Sequence, residues 1–92
     1  MIVSFADQDT ADFFADHKVR RFANIATVAQ RKLQQLDSAV TLEALKVPPG
    51  NRLEALRGDR KDQHSIRIND QFRLCFVWAP DGAHEVEIVD YH

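Results

Sequence analysis

Arg57, Arg60, Arg67, Arg73 and the run Asp90-Tyr91-His92 carry groups suited to work on a phosphodiester. Guanidinium groups bind phosphate oxygens in bidentate fashion and keep their charge at any relevant pH. Held against a phosphorane-like transition state, one positive group contributes roughly 3 kcal/mol, on the order of a hundredfold in rate. Asp90 and His92 are candidate proton carriers, since a histidine is suited to acid-base work near neutral pH. Tyr91 can stack on a base or orient a hydroxyl. Plainer readings stand beside these. Exposed arginines on a sheet can be solvated, or paired with Glu54 or Glu87, and residues at the end of a strand often fray.

Other reactive side chains lead less far. His64 shares parity with Ile66 and Ile68, which predicts a half-buried ring bonded to backbone. Cys75 falls on the arginine side of its segment, where a thiol nucleophile with His84 or His92 as base is conceivable, but nothing local marks it. The four histidines lack the paired spacing of a zinc site, and no Gly-rich phosphate loop occurs. No metal and no cofactor are expected.

The elements that must position these groups follow from hydrophobic period. Ile2 to Phe5 reads as a short first strand, and Asp7 to Thr10 as a helix start in which Asp or Thr side chains accept from first-turn amides; the helix ends near His17. A longer helix fits Asn24 to about Ser38, with Ile25, Val28, Ala29, Leu33 and Leu36 forming its apolar stripe. Leu42 to Lys46 adds a helical turn. Pro48-Pro49-Gly50-Asn51 then breaks regular structure, because prolines lack amide donors and fix φ while Gly permits a reversal. From there the period alternates: Arg52 to Leu56, His64 to Ile68, Phe72 to Trp78 and Val86 to Val89 read as strands. The result is an α+β chain in the order β-α-α-β-β-β-β, with both helices on one face of a mostly antiparallel sheet.

Alternation also assigns faces. Phe72, Leu74, Phe76 and Trp78, with Ile66, Ile68, Val86 and Ile88, must meet the helices. Arg67 and Arg73 then stand across a tight hairpin on the other face, together with Glu85, Glu87, Val89 and Tyr91. Asp90 and His92 have the opposite parity.

Composition sets the boundaries. Ninety-two residues, 45% hydrophobic and 28% charged, predict one domain spanning 1–92. Met1 to Asp7 reaches an acidic residue after a few apolar ones, and no stretch is long and apolar enough for a bilayer, so neither export nor a membrane partner is expected. One cysteine is compatible with the cytoplasm. The net charge of -2 argues against a chain that coats nucleic acid by bulk attraction. Its distribution is uneven. Residues 52–73 hold six Lys/Arg against four Asp/Glu, whereas residues 74–92 hold none against four.

Three segments carry a specific resemblance: Pro48-Pro49-Gly50-Asn51-Arg52-Leu53-Glu54-Ala55-Leu56; Gly58-Asp59-Arg60; and Gln63-His64-Ser65-Ile66-Arg67-Ile68-Asn69-Asp70-Gln71. With Arg73-Leu74-Cys75-Phe76, Trp78 and Val86-Glu87-Ile88-Val89-Asp90-Tyr91-His92, the chain resembles HigB-type toxins, or plasmid-maintenance killer proteins, of the RelE superfamily. The resemblance implies a ribosome-dependent messenger-RNA endonuclease that needs no metal. It also implies a HigA-type helix-turn-helix antitoxin as partner, with operator DNA reached only through that antitoxin. In the implied chemistry the RNA 2′-hydroxyl attacks the adjacent phosphate. Arg73 would hold the phosphate, Tyr91 and Asp90 would position or activate the attacking end, and His92 would give or take a proton. Arg57, Arg60 and Arg67 would bind substrate. The chain departs from the pattern at Glu54, where some relatives have histidine, and at Asp62, Phe72 and Val77. These departures imply a slower nuclease, and a non-catalytic, antitoxin-binding member is the main alternative.

Overall fold

The computed structural model describes residues 1–91. Two helices, α1 (Gln8–Phe14) and α2 (Ala26–Ser38), pack against an antiparallel sheet. Its strands are β1 (Glu54–Ala55), β2 (His64–Arg67), β3 (Phe72–Ala79) and β4 (Gly82–Asp90), side by side in that order. Among the described residues no helix is long and apolar enough to cross a membrane.

The helical and alternating periods meet in one buried layer. Ala29, Leu33 and Leu36 of α2 are fully buried, as are Ile66, Leu74, Phe76 and Val86 from the sheet. Each large apolar side chain so buried stabilises the fold by about 1.5–3 kcal/mol. Phe13 of α1 meets Phe22 edge-on at 5.5 Å, within the same core. Thr10 fixes α1 against the sheet, because its buried Oγ1 accepts from the Ile88 amide at 3.1 Å.

The structure corrects several sequence expectations. Ile2 to Phe5 is not a continuous strand but two isolated parallel bridges, Ile2 to Ala83 and Phe5 to Val86. Glu85 between them adopts φ 50°, and the β3–β4 register slips beside it, so an extra residue interrupts the ladder. The expected cap of α1 is also absent. The Asp7 carboxylate pairs with Arg21 at 2.8 Å instead of accepting from the first turn, and α1 ends at Phe14. The stretch Arg20–Ile25 is a 3-10 helix, so α2 begins at Ala26.

The strand expected over Arg52 to Leu56 contracts to Glu54–Ala55, because Arg52 is left-handed (φ 47°, ψ 58°) and a 3-10 turn follows at Gly58–Arg60. Conversely, β4 starts at Gly82, directly after a two-residue turn. At Gly82, φ is 132° and a Cβ would lie 2.2 Å from the Met1 carbonyl oxygen, so only glycine fits.

Candidate active site

Strand register builds the site in rows. Arg67 of β2 faces Arg73 of β3, which faces Val89 of β4; in the next row Ser65 faces Cys75, which faces Glu87. Glu54 of β1 extends that second row beside Ser65. Asn69 shapes the β2–β3 hairpin: its Oδ1 accepts from the amides of Gln71 at 2.9 Å and Phe72 at 2.7 Å. That turn sets the phase of both arginines.

Arg73 is the most constrained cation on this face, with a side chain only 13% exposed. Its Nε donates to Ser65 Oγ at 2.8 Å and its Nη2 to the Arg52 carbonyl at 2.7 Å, while Glu54 lies 3.4 Å from the same nitrogen. The fork is therefore held from one side, and among the described residues Nη1 donates to no protein acceptor. A rigid guanidinium with one amino group left over is well suited to a phosphate oxygen.

Tyr91 stands beside it. Its amide donates to the Gln71 carbonyl at 2.6 Å, extending the β3–β4 ladder one step, so this residue is tied to the sheet rather than frayed. The Arg73 Cζ is 6.0 Å from the Tyr91 ring centroid, a loose cation-π contact. The residue is 44% exposed, which leaves room for stacking. Partial burial and the adjacent Cys75 thiol push the phenol above its ordinary 10.0, against the opposing pull of Arg60 and Arg73. The hydroxyl therefore stays protonated at neutral pH.

The remaining candidates spread outward. Arg60 donates to Gln63 Oε1 at 2.9 Å and lies 3.4 Å from Glu87, close enough to influence both Cys75 and Tyr91. Arg67, although register partner of Arg73, engages Asp70 in the hairpin. Arg57 is exposed, and among the described residues no acid pairs with it. Asp90 faces Phe72, on the helix-side parity, and its Oδ2 accepts from Gln71 Nε2 at 3.1 Å. His92 lies outside the described residues.

Cys75 is fully buried, and burial pushes its thiol above the ordinary 9.0, so it is a poor nucleophile at neutral pH. Glu54 and Glu87 both hold arginines, as the plainer reading of the sequence allowed. Among the described residues no cluster of His, Cys, Asp or Glu can hold a metal ion.

Ser65 and the Arg52 carbonyl, which orient Arg73, were not singled out from sequence. Alternation does place Ser65 on the Arg73 face, but no side-chain pattern announces a carbonyl turned by a left-handed residue.

Residues 3–92 match the family described as RelE-like toxin of type II toxin-antitoxin system HigB. The chain belongs to this HigB-like toxin family. It is 39% identical to Toxin HigB-1 of Vibrio cholerae serotype O1, over all of this chain and 98% of that one. It is also 35% identical to an uncharacterized protein of Haemophilus influenzae, over 61% of this chain and 55% of the other. As a HigB-like toxin it is one half of a toxin-antitoxin pair, and its two helices on a four-stranded antiparallel sheet are consistent with a RelE-like fold.

Proposed function

We propose that this HigB-like toxin is a ribosome-dependent endoribonuclease acting in the cytoplasm on messenger RNA, and that Arg73 and Tyr91 form the centre of its site. The observation that carries this reading is the Arg73 guanidinium, immobilised by Ser65 and the Arg52 carbonyl beside an exposed tyrosine ring.

In the reaction the RNA 2′-hydroxyl loses its proton and its oxygen attacks the neighbouring phosphorus. The bond to the 5′-oxygen breaks, leaving a cyclic phosphate and a 5′-hydroxyl that takes up a proton. Nη1 of Arg73 binds the non-bridging oxygen on which charge develops, where a pre-placed donor is most effective. Tyr91, a neutral phenol, orients the hydroxyl or stacks on the adjacent base. Asp90 and His92 are the proton carriers of this scheme, and Arg57, Arg60 and Arg67 hold flanking phosphates.

Arg60, Arg67 and Arg73 all have acidic neighbours, so the ribosome supplies substrate positioning. A HigA-type helix-turn-helix antitoxin neutralises the toxin and links it to operator DNA.

The test is cleavage of ribosome-bound messenger. R73A should slow it by about a hundredfold, and Y91F by less, while both variants still bind the antitoxin. Unchanged cleavage by R73A would remove Arg73 from the chemistry. A second reading, a weak or inactive member that serves mainly as antitoxin-binding module, is favoured by the Glu54–Arg73 and Glu87–Arg60 pairs. It predicts that even the wild type leaves messenger intact.

A further inference from the structure

We propose that the buried Lys32–Asn51 contact is a positioning device for Arg73, so that these two residues set the cleavage rate without touching RNA. This rests on the reading of Arg73 as the phosphate-binding group.

Asn51 is fully buried and uses its whole amide. Its Oδ1 accepts from Lys32 Nζ, and its Nδ2 faces Gln35 Oε1 at 3.1 Å, the Leu45 carbonyl at 3.1 Å and the Val47 carbonyl at 3.4 Å. The side chain thus ties α2 to the chain on both sides of Pro48-Pro49. Only a group with an acceptor at one end and donors at the other satisfies all of these partners.

Lys32 is itself unusual. It is 8% exposed on the core side of α2, and among the described residues no carboxylate pairs with it. Burial pulls its ammonium below the ordinary lysine range, and repulsion from Arg31 and Arg67 adds to this. A buried cation held by a neutral amide is a poor source of stability compared with apolar packing. A fully satisfied polar network does, however, impose one geometry on its surroundings.

That geometry is delivered one residue later. Arg52, bonded neighbour of Asn51, occupies the left-handed region at φ 47°, strained for a non-glycine residue, and its amide donates to the Pro49 carbonyl at 3.1 Å. Turned this way, its carbonyl accepts from Arg73 Nη2 at 2.7 Å. The other neighbour of that nitrogen, Glu54, is 57% exposed and 3.4 Å away, so the Arg52 carbonyl is the rigid stop. The sequence Lys32, Asn51, Arg52 carbonyl, Arg73 therefore runs unbroken from the core to the guanidinium.

The test is a double-mutant cycle on single-turnover cleavage of ribosome-bound messenger, read on folded full-length protein. K32M/N51L removes both polar partners together, which keeps the core filled and strands no buried charge. It should cut the rate by at least about tenfold, as misplacement of a catalytic group does, with ribosome affinity unchanged. R73K keeps a positive charge but lacks the planar fork with which Arg73 bonds Ser65 and the Arg52 carbonyl from two separate nitrogens. Added to R73K, K32M/N51L should slow cleavage by less than about twofold further, because contacting groups are not additive.

Losses that multiply, or wild-type cleavage by folded K32M/N51L, overturn the positioning role. N51D, which keeps the shape but turns an oxygen toward the two carbonyls, runs the same cycle if the first pair does not fold. If neither folds, Asn51 is a folding residue and the proposal fails. Wild-type cleavage by R73A would instead remove the reading of Arg73, and this role with it.

Discussion

At the scale of single residues, Cys75 and Tyr91 show how neighbours decide chemistry. The thiol lies on the same face as Arg73, yet it is fully buried, and burial keeps it protonated. C75S should therefore cut ribosome-bound messenger within about threefold of wild type, whereas loss of a nucleophile would be far larger. The same thiol has a signature in stability. Its folded value lies above the ordinary 9.0, so the unfolded chain releases this proton first as pH rises. The stability contributed by the protonated thiol is complete below the ordinary value and is lost as pH rises through the folded one. Serine does not titrate there. Urea melts should show wild type losing stability relative to C75S as pH rises above about 9, and parallel curves would sink the assignment. Residue types and parity made Arg73 and Tyr91 legible as a pair in the sequence. What held them was not legible, because the Arg52 carbonyl owes its direction to a backbone torsion rather than to a side chain.

At the scale of elements, hydrophobic period located the bodies of both helices and three of the strands but only some of their ends. The Asn24 to Ile25 stretch looks helical by spacing, yet it continues a 3-10 turn that starts at Arg20. Asp7 has the chemistry of a cap, but Arg21, 14 residues away, takes its carboxylate. Long-range partners of this kind leave no periodic trace. Thr10 is another such case: by sequence it is a possible cap at the helix start, whereas it lies inside α1 with its hydroxyl buried. Its bond to the Ile88 amide is what docks α1 on β4. T10V fills the same space and leaves that amide without an acceptor, so it should destabilise the fold by about 1–3 kcal/mol. T10S keeps the oxygen and should lose less. Thermal melts of the two variants check the order, and equal stabilities would show that packing alone seats α1.

At the scale of the whole molecule, the net charge of -2 is compatible with an RNA-cutting surface only if substrate arrives by some route other than bulk attraction. The pairing of Arg60 with Glu87, Arg67 with Asp70 and Arg73 with Glu54 lowers the outward field of the one face that is rich in arginine. Such half-exposed pairs contribute only about 0–1 kcal/mol to stability, so their larger effect is on what the face can bind. E87Q keeps the size of the side chain, releases Arg60 from its counter-charge and raises the net charge by one. The released guanidinium is close enough to Tyr91 to act on it electrostatically. Affinity for ribosome-free single-stranded RNA should rise by up to about fivefold at low salt, the equivalent of the pair's full strength. The dependence of log affinity on log salt should steepen by about 0.7, one added phosphate contact. Fluorescence anisotropy across a potassium chloride series reads both quantities. If E87Q gains affinity without a steeper slope, the new contact is not to phosphate. If it gains neither, the acidic partners do not restrain this surface, and the proposed dependence on the ribosome must come from its shape.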